Sequence, residues 1–505
     1  MRVLDVLVVV GFAAGISASL LDDWLRPPDE RRSVTVEYRV GAPRPTLTFD
    51  ASSLVRFPTA FDAWYADSFG LRDRLISWNN VTHWLGLRDS PNRAALRGRE
   101  GWVFTTWGRA IESFCGLYPM TTDELERWRL SLEQRRDFLA ERGIRFAYFV
   151  VPDKAAVYPD FLPPRLERRG PSRREQFLEY MERHSDVEIV DPLPEILADK
   201  AWDTPGDRTY FELGDHWTDR GCLAGYRALL EALGIEPLSR EDFVKRPGGQ
   251  GDNWAERMYM AEYIQQSSYL QVPVRDPGVR RTEGDGDYRS LWVHEDSSLP
   301  RVVVFHDSFG VLFIQHLAAH FSETLALWRP RIDFSVVEEF APDVVVQLYV
   351  DRNALVNNRP RVDGDAGRAL LERCFEKSSD VSFRAAPPSL EAFRDADVSM
   401  SDEAAEIHVR APAFAYLPEF AFPPGGATLA IDFECEVATP LQLFYRTKDA
   451  PEFSREVFLA ARTEAGSSRV FFDLSEPRLF GRLLLGFGRP PQTVRILAVE
   501  VRAAR

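Results

Sequence analysis

Stretches with the apolar spacing of a helix alternate along the chain with short runs that are apolar almost throughout. Thr121 and Glu124 are spaced as in a helix capping box, and the apolar residues that follow recur on one helical face. Gly143 suits the C-terminal cap of this helix. The run Ile144–Val151 then predicts a buried strand that ends at Pro152. This part of the chain is therefore predicted to be a helix followed by a strand of a sheet.

The same order of helices and strands recurs further along the chain. Helices are predicted near Arg173–His184, at Cys222–Leu233 and after Phe305 to about Phe321, and strands at Val187–Val190, Arg301–Phe305 and Asp343–Val350. Apolar strands that alternate with helices are typical of a mostly parallel sheet covered on both faces. The sequence thus predicts an α/β domain, and such sheets bind ligands at the carboxyl ends of their strands. Residues 236–300 interrupt this alternation of helices and strands and are predicted to form loops over the sheet edge.

Both ends of the chain differ from this central part. After about residue 378, short strand patterns alternate with Pro and Gly turns, so residues 379–505 are predicted to form an all-β sandwich or jelly roll. At the other end, Arg2 precedes an apolar run from Val6 to Leu21. Residues 1–21 are therefore predicted to be a signal peptide or an uncleaved membrane anchor, an ordinary buried helix being the alternative. The central domain is predicted to span residues 22–378.

Charge and residue counts exclude some classes of partner. The net charge of −15 argues against a nucleic-acid partner, which would need a basic face. The eight histidines and four cysteines lack the spacing of metal ligands, so no metal and no cofactor are predicted. The cysteines are widely separated, and both disulfides and free thiols fit their pattern.

The stretch "VVVFHDSFGVLF" from Val302 to Phe313 puts polar residues at the end of a predicted strand. One interpretation is a turn in which Asp307 or Ser308 caps the next helix. The other is that Ser308 is a nucleophile, with its own N–H and that of Phe309 as an oxyanion hole. A nucleophilic serine needs a base, and His216 lies among polar and aromatic residues just before another predicted helix.

The orientation of His216 would require a carboxylate, as in a Ser-His-Asp triad. Asp215 is adjacent to it and is the predicted acid. Glu212, Asp203 and Asp207 are the nearby alternatives.

The motifs "GDHW" and "HDSF", in this order, resemble the SGNH hydrolase-like domain of the alginate O-acetylation proteins of the AlgJ/AlgX type. The resemblance extends over Phe57–Leu355 and is carried by "DSFGLRD" (Asp67–Asp73), "RGREGWVF" (Arg97–Phe104), "VPDKAAVYPDFLP" (Val151–Pro163), "GGQGDNWAERM" (Gly248–Met258) and "PDVVVQLYVDRNAL" (Pro342–Leu355). Ordinary SGNH hydrolases have the serine before the histidine, whereas the reversed order here is that of the acetyltransferase branch. One departure concerns the acid: the family has Asp-x-His-Trp, and Gly214 stands at the position of that aspartate.

The resemblance implies an O-acetyltransferase that modifies an exported polysaccharide through an acetyl-serine at Ser308. It also implies a membrane-bound partner protein that supplies the acetyl donor. The apolar N-terminal run adds a periplasmic location, with anchoring to the inner membrane where this segment is not cleaved. A serine acetyl-esterase and a non-catalytic polysaccharide-binding scaffold are the alternatives. The C-terminal sandwich resembles carbohydrate-binding domains.

Three residues outside the proposed triad are also expected near the site. Arg352 is expected to bind a sugar carboxylate, to support the loop or to form a surface ion pair with Asp351. Lys154 and Tyr158 are expected to shape the site.

Overall fold

The computed structural model describes residues 3–503 except 26–41, 49, 70, 250, 285–287, 330, 357–359, 361, 363, 424–425, 448–451, 454–457, 475–478 and 488–491. Its α-helices, α1 to α14 in chain order, are Val3–Leu25, Ala51–Ser68, Arg72–Val81, Ala110–Phe114, Thr122–Ala140, Lys154–Val157, Arg173–His184, Leu193–Lys200, Asp219–Ala232, Trp254–Arg257, Gly310–Leu317, Phe334–Phe340, Asp351–Leu355 and Gly364–Lys377.

The strands, β1 to β20 in chain order, are Ala95–Arg97, Val103–Thr105, Arg145–Val151, Ile189–Val190, Phe243–Gly249, Ser268–Pro273, Val279–Gly284, Arg289–His294, Arg301–His306, Glu323–Trp328, Val344–Val350, Val381–Ala385, Glu391–Met400, Ala405–Tyr416, Ala427–Cys435, Pro440–Phe444, Phe458–Arg462, Gly466–Leu474, Leu484–Phe487 and Gln492–Ala503.

The chain divides into two compact units. The first unit comprises residues 1–118, 147–174 and 188–354, and the second comprises residues 119–146, 175–187 and 355–505. The domain limits proposed from the sequence stay predictions. Among the helices that the structure describes, none is long and apolar enough to cross a membrane. The described part of the proposed export segment forms the start of α1, and its role in export stays a prediction.

The first unit is built on a seven-stranded mixed sheet in the order β4-β3-β11-β9-β10-β8-β7. β9 pairs in parallel with both β10 and β11, and β3 pairs in parallel with β4. The central strands are buried: all seven residues of β11 and five of the six in β9 lie in the interior. The predicted α/β fold is confirmed.

Residues 236–300 are not only loops, as the sequence analysis expected. They contain the β5–β6 hairpin, and β7 and β8 extend the main sheet by antiparallel pairing at its edge. Much of β7 is exposed and polar, so it lacks the apolar pattern that would have predicted a strand.

The polar connections that follow the central strands position the candidate residues. β9 ends at His306 and α11 begins at Gly310, so Ser308 lies at the carboxyl edge of the sheet. His216 lies just before α9, where the Thr218 hydroxyl caps the helix by accepting the Gly221 N–H at 3.3 Å. Because β9 is held between β10 and β11, the backbone before Ser308 is fixed from both sides.

The second unit consists of α5, α7, α14 and the C-terminal β-domain. α5 begins with the predicted capping box, in which the Thr121 hydroxyl accepts the Glu124 N–H at 3.2 Å and Glu124 accepts the Thr121 N–H at 2.8 Å. Strands β12 to β20 pair in antiparallel fashion around an apolar core. The long strand β14 pairs with β13, β19 and β20, and β20 pairs with β12, β14 and β15. The predicted β-rich C-terminal domain is confirmed. All four cysteines of the chain are free thiols.

Candidate active site

Three side chains form a hydrogen-bonded chain at the carboxyl edge of the main sheet. His216 Nε2 lies 2.8 Å from Ser308 Oγ, and His216 Nδ1 lies 2.8 Å from Asp252 Oδ2. Ser308 sits between β9 and α11, His216 precedes α9, and Asp252 precedes the short helix α10. This is the arrangement of nucleophile, base and orienting carboxylate found in Ser-His-Asp triads.

The carboxylate that contacts His216 Nδ1 belongs to Asp252 and not to the predicted Asp215. The buried Asp215 carboxylate accepts a hydrogen bond from Trp254 Nε1 at 2.8 Å, away from the imidazole of His216. Neighbouring side chains in the loop leave the backbone in different directions, which is why the residue next to His216 cannot reach its ring. Asp215 contributes its backbone instead, since its N–H donates to Asp252 Oδ2 at 2.6 Å.

The surroundings of Gly214 explain why this position carries no aspartate, although the resemblance predicts one there. A Cβ atom at this position would lie 2.4 Å from the backbone oxygen of Asp252 and 2.7 Å from its Oδ2. Real Cβ atoms keep at least 3.0 Å from such neighbours. The loop that carries Asp252 therefore occupies the space that a side chain at position 214 would need. Gly214 is what allows Asp252 to lie beside His216.

The surroundings of Asp252 hold its carboxylate in the ionised form. Burial alone would raise its pKa, but the hydrogen bond and charge of His216, the Asp215 N–H and the charge of Arg257 outweigh that and place the pKa well below its usual value. The His216 N–H also points at Asp252 Oδ2, at 3.2 Å. An ionised acceptor at Nδ1 fixes the tautomer that leaves Nε2 free to take a proton from Ser308.

Phe309 contributes its ring to the site, and its predicted use as an oxyanion donor is wrong. Its N–H donates to Asp307 Oδ1 at 3.0 Å, and the other oxygen of this buried carboxylate accepts the Val350 N–H at 3.0 Å and Asn353 Nδ2 at 2.9 Å. The Phe309 ring lies 4.7 Å from the His216 ring, centroid to centroid. Asp307 thus stabilises the turn that presents Ser308.

Lys154 supports the loop before His216. Its Nζ donates to the backbone oxygens of Phe211 at 2.9 Å, Glu212 at 3.2 Å and Gly214 at 2.6 Å. The side chain is buried, and burial lowers the pKa of Lys154 to about 7, although the nearby carboxylate of Asp215 opposes this. The role expected for Lys154, shaping the site, agrees with this position, but the side chain acts on the loop and does not line the cleft.

Arg352 and Tyr158 lie behind the cleft and do not line it. Arg352 is buried in an ion pair with Asp153, so the expectation that it binds a sugar carboxylate is wrong, and its pairing partner differs from the predicted Asp351. The buried hydroxyl of Tyr158 donates to Asp203 at 2.6 Å, and burial raises the pKa of Tyr158. Both side chains hold strand ends and loops in place.

The Ser308 hydroxyl opens into a cleft of about 420 Å³. Its walls combine aromatic, aliphatic, glycine and acidic residues. They are Phe211, His216, Trp217, Asp219, Gly248, Gly251, Asp252, Ser268, Tyr269, Leu270, Ser308, Val311, Leu312 and Trp328. Among the described residues, no group of three or more His, Cys, Asp or Glu side chains is arranged to hold a metal ion.

The sequence signal that could have found Asp252 is the Gly-Asp stretch that contributed to the family resemblance. Gly251 has a φ of +59°, and a Cβ there would lie 2.2 Å from the Phe211 ring, so a glycine is required where this loop approaches the cleft. An aspartate directly after such a glycine is the feature that would point to a site residue in this loop.

Comparison with known proteins shows what the part of the chain around this site is similar to. Residues 95–330 match the family model described as the SGNH hydrolase-like domain of the acetyltransferase AlgX. Among solved structures, Pseudomonas aeruginosa AlgX is 14% identical over 85% of this chain and 98% of its own, with a TM-score of 0.35. The O-acetyltransferase domain of Pseudomonas putida AlgJ is 20% identical over 51% of this chain and 91% of its own, with a TM-score of 0.35.

Carbohydrate-binding modules are also among the solved structures that match part of the chain. A family 29 carbohydrate-binding module from Piromyces equi is 11% identical over 24% of this chain and 91% of its own, with a TM-score of 0.20. No curated protein matches the chain. Residues 95–330 are thus similar to the SGNH hydrolase-like domain of the AlgX acetyltransferases.

Proposed function

We propose that this protein is an O-acetyltransferase that modifies an exported polysaccharide through an acetyl-serine at Ser308. The observation that carries the proposal is the chain from Asp252 through His216 to Ser308, with both hydrogen bonds at 2.8 Å. Such a chain turns a weakly nucleophilic hydroxyl into an acyl acceptor. The family of residues 95–330 supports acyl transfer as the reaction class.

In the first half-reaction, Ser308 Oγ attacks the carbonyl carbon of an acetyl donor while its proton passes to His216 Nε2. The donor oxygen or sulfur then leaves with that proton, and the acetyl group stays on Ser308 as an ester. In the second half-reaction, a sugar hydroxyl gives its proton to His216 and attacks the ester carbonyl. Ser308 leaves and regains the proton, so the enzyme returns to its starting state and the sugar carries the acetyl group.

The tetrahedral intermediates carry a negative oxygen that needs a donor. Among the residues that the structure describes, none accepts a hydrogen bond from the Ser308 N–H, whereas the N–H groups of Phe309 and Gly310 donate to Asp307. The Ser308 N–H is therefore the backbone donor that we assign to the oxyanion. The N-terminus of α11, two residues further on, adds a favourable dipole.

We place the reaction in the periplasm, with the apolar run Val6–Leu21 as the export segment and possible anchor. A membrane-bound partner would supply the acetyl donor, as the family resemblance implies. The C-terminal β-domain, whose sequence pattern resembles that of carbohydrate-binding domains, is proposed to bind the polysaccharide.

The test is an acetyl-transfer assay with the full chain. The protein is incubated with p-nitrophenyl acetate, with and without an oligosaccharide mixture, and mass spectrometry follows acetyl-Ser308, free acetate and acetylated sugar. We expect the acetyl-peptide containing Ser308 and acetylated sugar, both absent from Ser308→Ala. Acetate without acetylated sugar would instead identify an esterase. No turnover above the Ser308→Ala control would refute the enzymatic proposal and favour a binding scaffold.

A further inference from the structure

An aromatic shelf leads from the Ser308 cleft to the protein surface. Trp328 is the last residue of β10, lies in register with His306 of β9, and lines the cleft. The ring of Tyr288 lies 5.7 Å from that of Trp328 with a tilt of 34°, and the Trp328 N–H donates to the Tyr288 backbone oxygen at 2.9 Å. Tyr288 is 69% exposed, so its ring extends the aromatic surface of Trp328 towards solvent.

Other exposed residues that line the cleft are also apolar and mark its mouth. Leu270 of β6 is 42% exposed and Val311 of α11 is 36% exposed, and Tyr269 lies beside them. The mouth of the cleft thus carries exposed apolar side chains, and Ser308 lines the same cleft. A sugar ring fits such a mouth, because its C–H faces stack on aromatic and aliphatic surfaces while its hydroxyls project towards polar groups.

The charges of the cleft favour an uncharged sugar. Asp252 and Asp219 lie in its wall, and no Lys or Arg is among the described residues that line it. Asp219 is held in place by His316 Nε2 at 2.7 Å and by the Gln271 N–H at 2.5 Å. A uronate carboxylate in this cleft would meet two acidic side chains.

Basic residues around the cleft, among them Arg257 at 3.5 Å from Asp252 Oδ1, are already paired with carboxylates. Arg329, which follows Trp328, forms an ion pair with Asp333. Lys245, whose Nζ lies 6.0 Å from the Tyr269 ring, forms one with Asp207. A carboxylated sugar would have to compete with these partners.

We propose that the acceptor is a neutral polysaccharide and that one of its sugar units stacks on the shelf formed by Trp328 and Tyr288. This inference rests on the proposed function for the chemistry at Ser308. It adds the substrate class and two residues that select it. The shelf would place a hydroxyl of the next sugar unit towards the acetyl group on Ser308.

The test measures binding apart from turnover. Isothermal titration of the full-length Ser308→Ala protein compares cellohexaose, mannohexaose and xylohexaose with hexamannuronate. We expect at least one neutral hexasaccharide to bind at least 10-fold more tightly than hexamannuronate. Adding Tyr288→Ala should weaken that binding about 3- to 10-fold, the size of one aromatic contact, while Tyr288→Phe should retain it. Tyr263→Ala, at an exposed tyrosine (51%) that does not line the cleft, is the matched control.

Tighter binding of hexamannuronate, no binding of any neutral hexasaccharide, or equal affinities of the Tyr288→Ala and Tyr263→Ala proteins would overturn the inference. Wild-type protein is then tested for acetylation of the sugar that binds. If a neutral hexasaccharide binds through Tyr288 but is never acetylated, the proposed function fails and the assignment of the shelf stands. Acetylation of hexamannuronate in preference to every neutral sugar would leave acetyl transfer intact and refute the shelf.

Discussion

Replacing Gly214 by alanine tests the idea that this position must be empty for Asp252 to orient His216. The added Cβ would lie 2.4 Å from the Asp252 backbone oxygen, and contacts of this kind stay above 3.0 Å, so the two segments must separate by at least 0.6 Å. The His216–Asp252 hydrogen bond starts at 2.8 Å, and the same displacement would stretch it towards the limit of a hydrogen bond. A misplacement of roughly 1 Å in a catalytic group costs on the order of 10²-fold in rate.

We therefore expect Gly214→Ala to lower kcat for p-nitrophenyl acetate on the order of 10²-fold. The matched control is Gly170→Ala, where the nearest heavy atom to the new Cβ is 3.9 Å away and no cost is expected. Thermal unfolding of both variants separates a local displacement from loss of the fold. A Gly214→Ala protein with the kcat of the control would show that the approach of the two loops is not needed, and the reasoning would fail.

Three further predictions concern the residues around the triad. Asp252→Asn should lower kcat on the order of 10⁴-fold, and Asp215→Asn should lower it far less; equal losses in steady-state assays would restore Asp215 as the acid. Because burial lowers the pKa of Lys154 to about 7 and the unfolded chain keeps it near 10.4, the unfolded state binds more protons between these values. Stability relative to Lys154→Met should then rise by about 1.4 kcal/mol per pH unit from pH 8 to 10 in urea unfolding, and a constant difference would contradict the lowered pKa. Asp307→Ala removes the acceptor of three N–H groups and should cost about 3 kcal/mol or more of unfolding free energy, while an unchanged urea midpoint would refute that role.

The elements that the sequence predicted well are those with local signals. The capping box at Thr121 is complete within four residues, and β9 and β11 are apolar almost throughout, so neither depends on distant parts of the chain. The pairing of His216 with Ser308 was predictable for another reason. Both residues lie in recognisable motifs beside predicted elements of the α/β domain. A parallel sheet brings such segments together at one edge.

The acid and the oxyanion donor could not be predicted in the same way. Asp252 is 36 residues from His216, in a segment without helical or strand periodicity. Its position beside His216 depends on the path of that loop over the edge of the sheet. The Phe309 N–H was excluded by a competitor two residues away, the Asp307 carboxylate, whose direction depends on its contacts with residues after β11. Sequence spacing does not encode these directions.

The backbone of the loop before His216 explains why an aspartate from another segment of the chain can orient the histidine. Two consecutive N–H groups, of Asp215 and His216, point at one carboxylate oxygen, and Lys154 fixes the loop from its carbonyl side. This backbone would accept a carboxylate from any segment that reaches it, because the N–H groups and Nδ1 define the position of the oxygen and not the identity of the residue that carries it. The Asp-x-His-Trp spacing is thus one way to supply that oxygen. A chain with Gly214 supplies it through Asp252, so its missing aspartate is no evidence of an inactive domain.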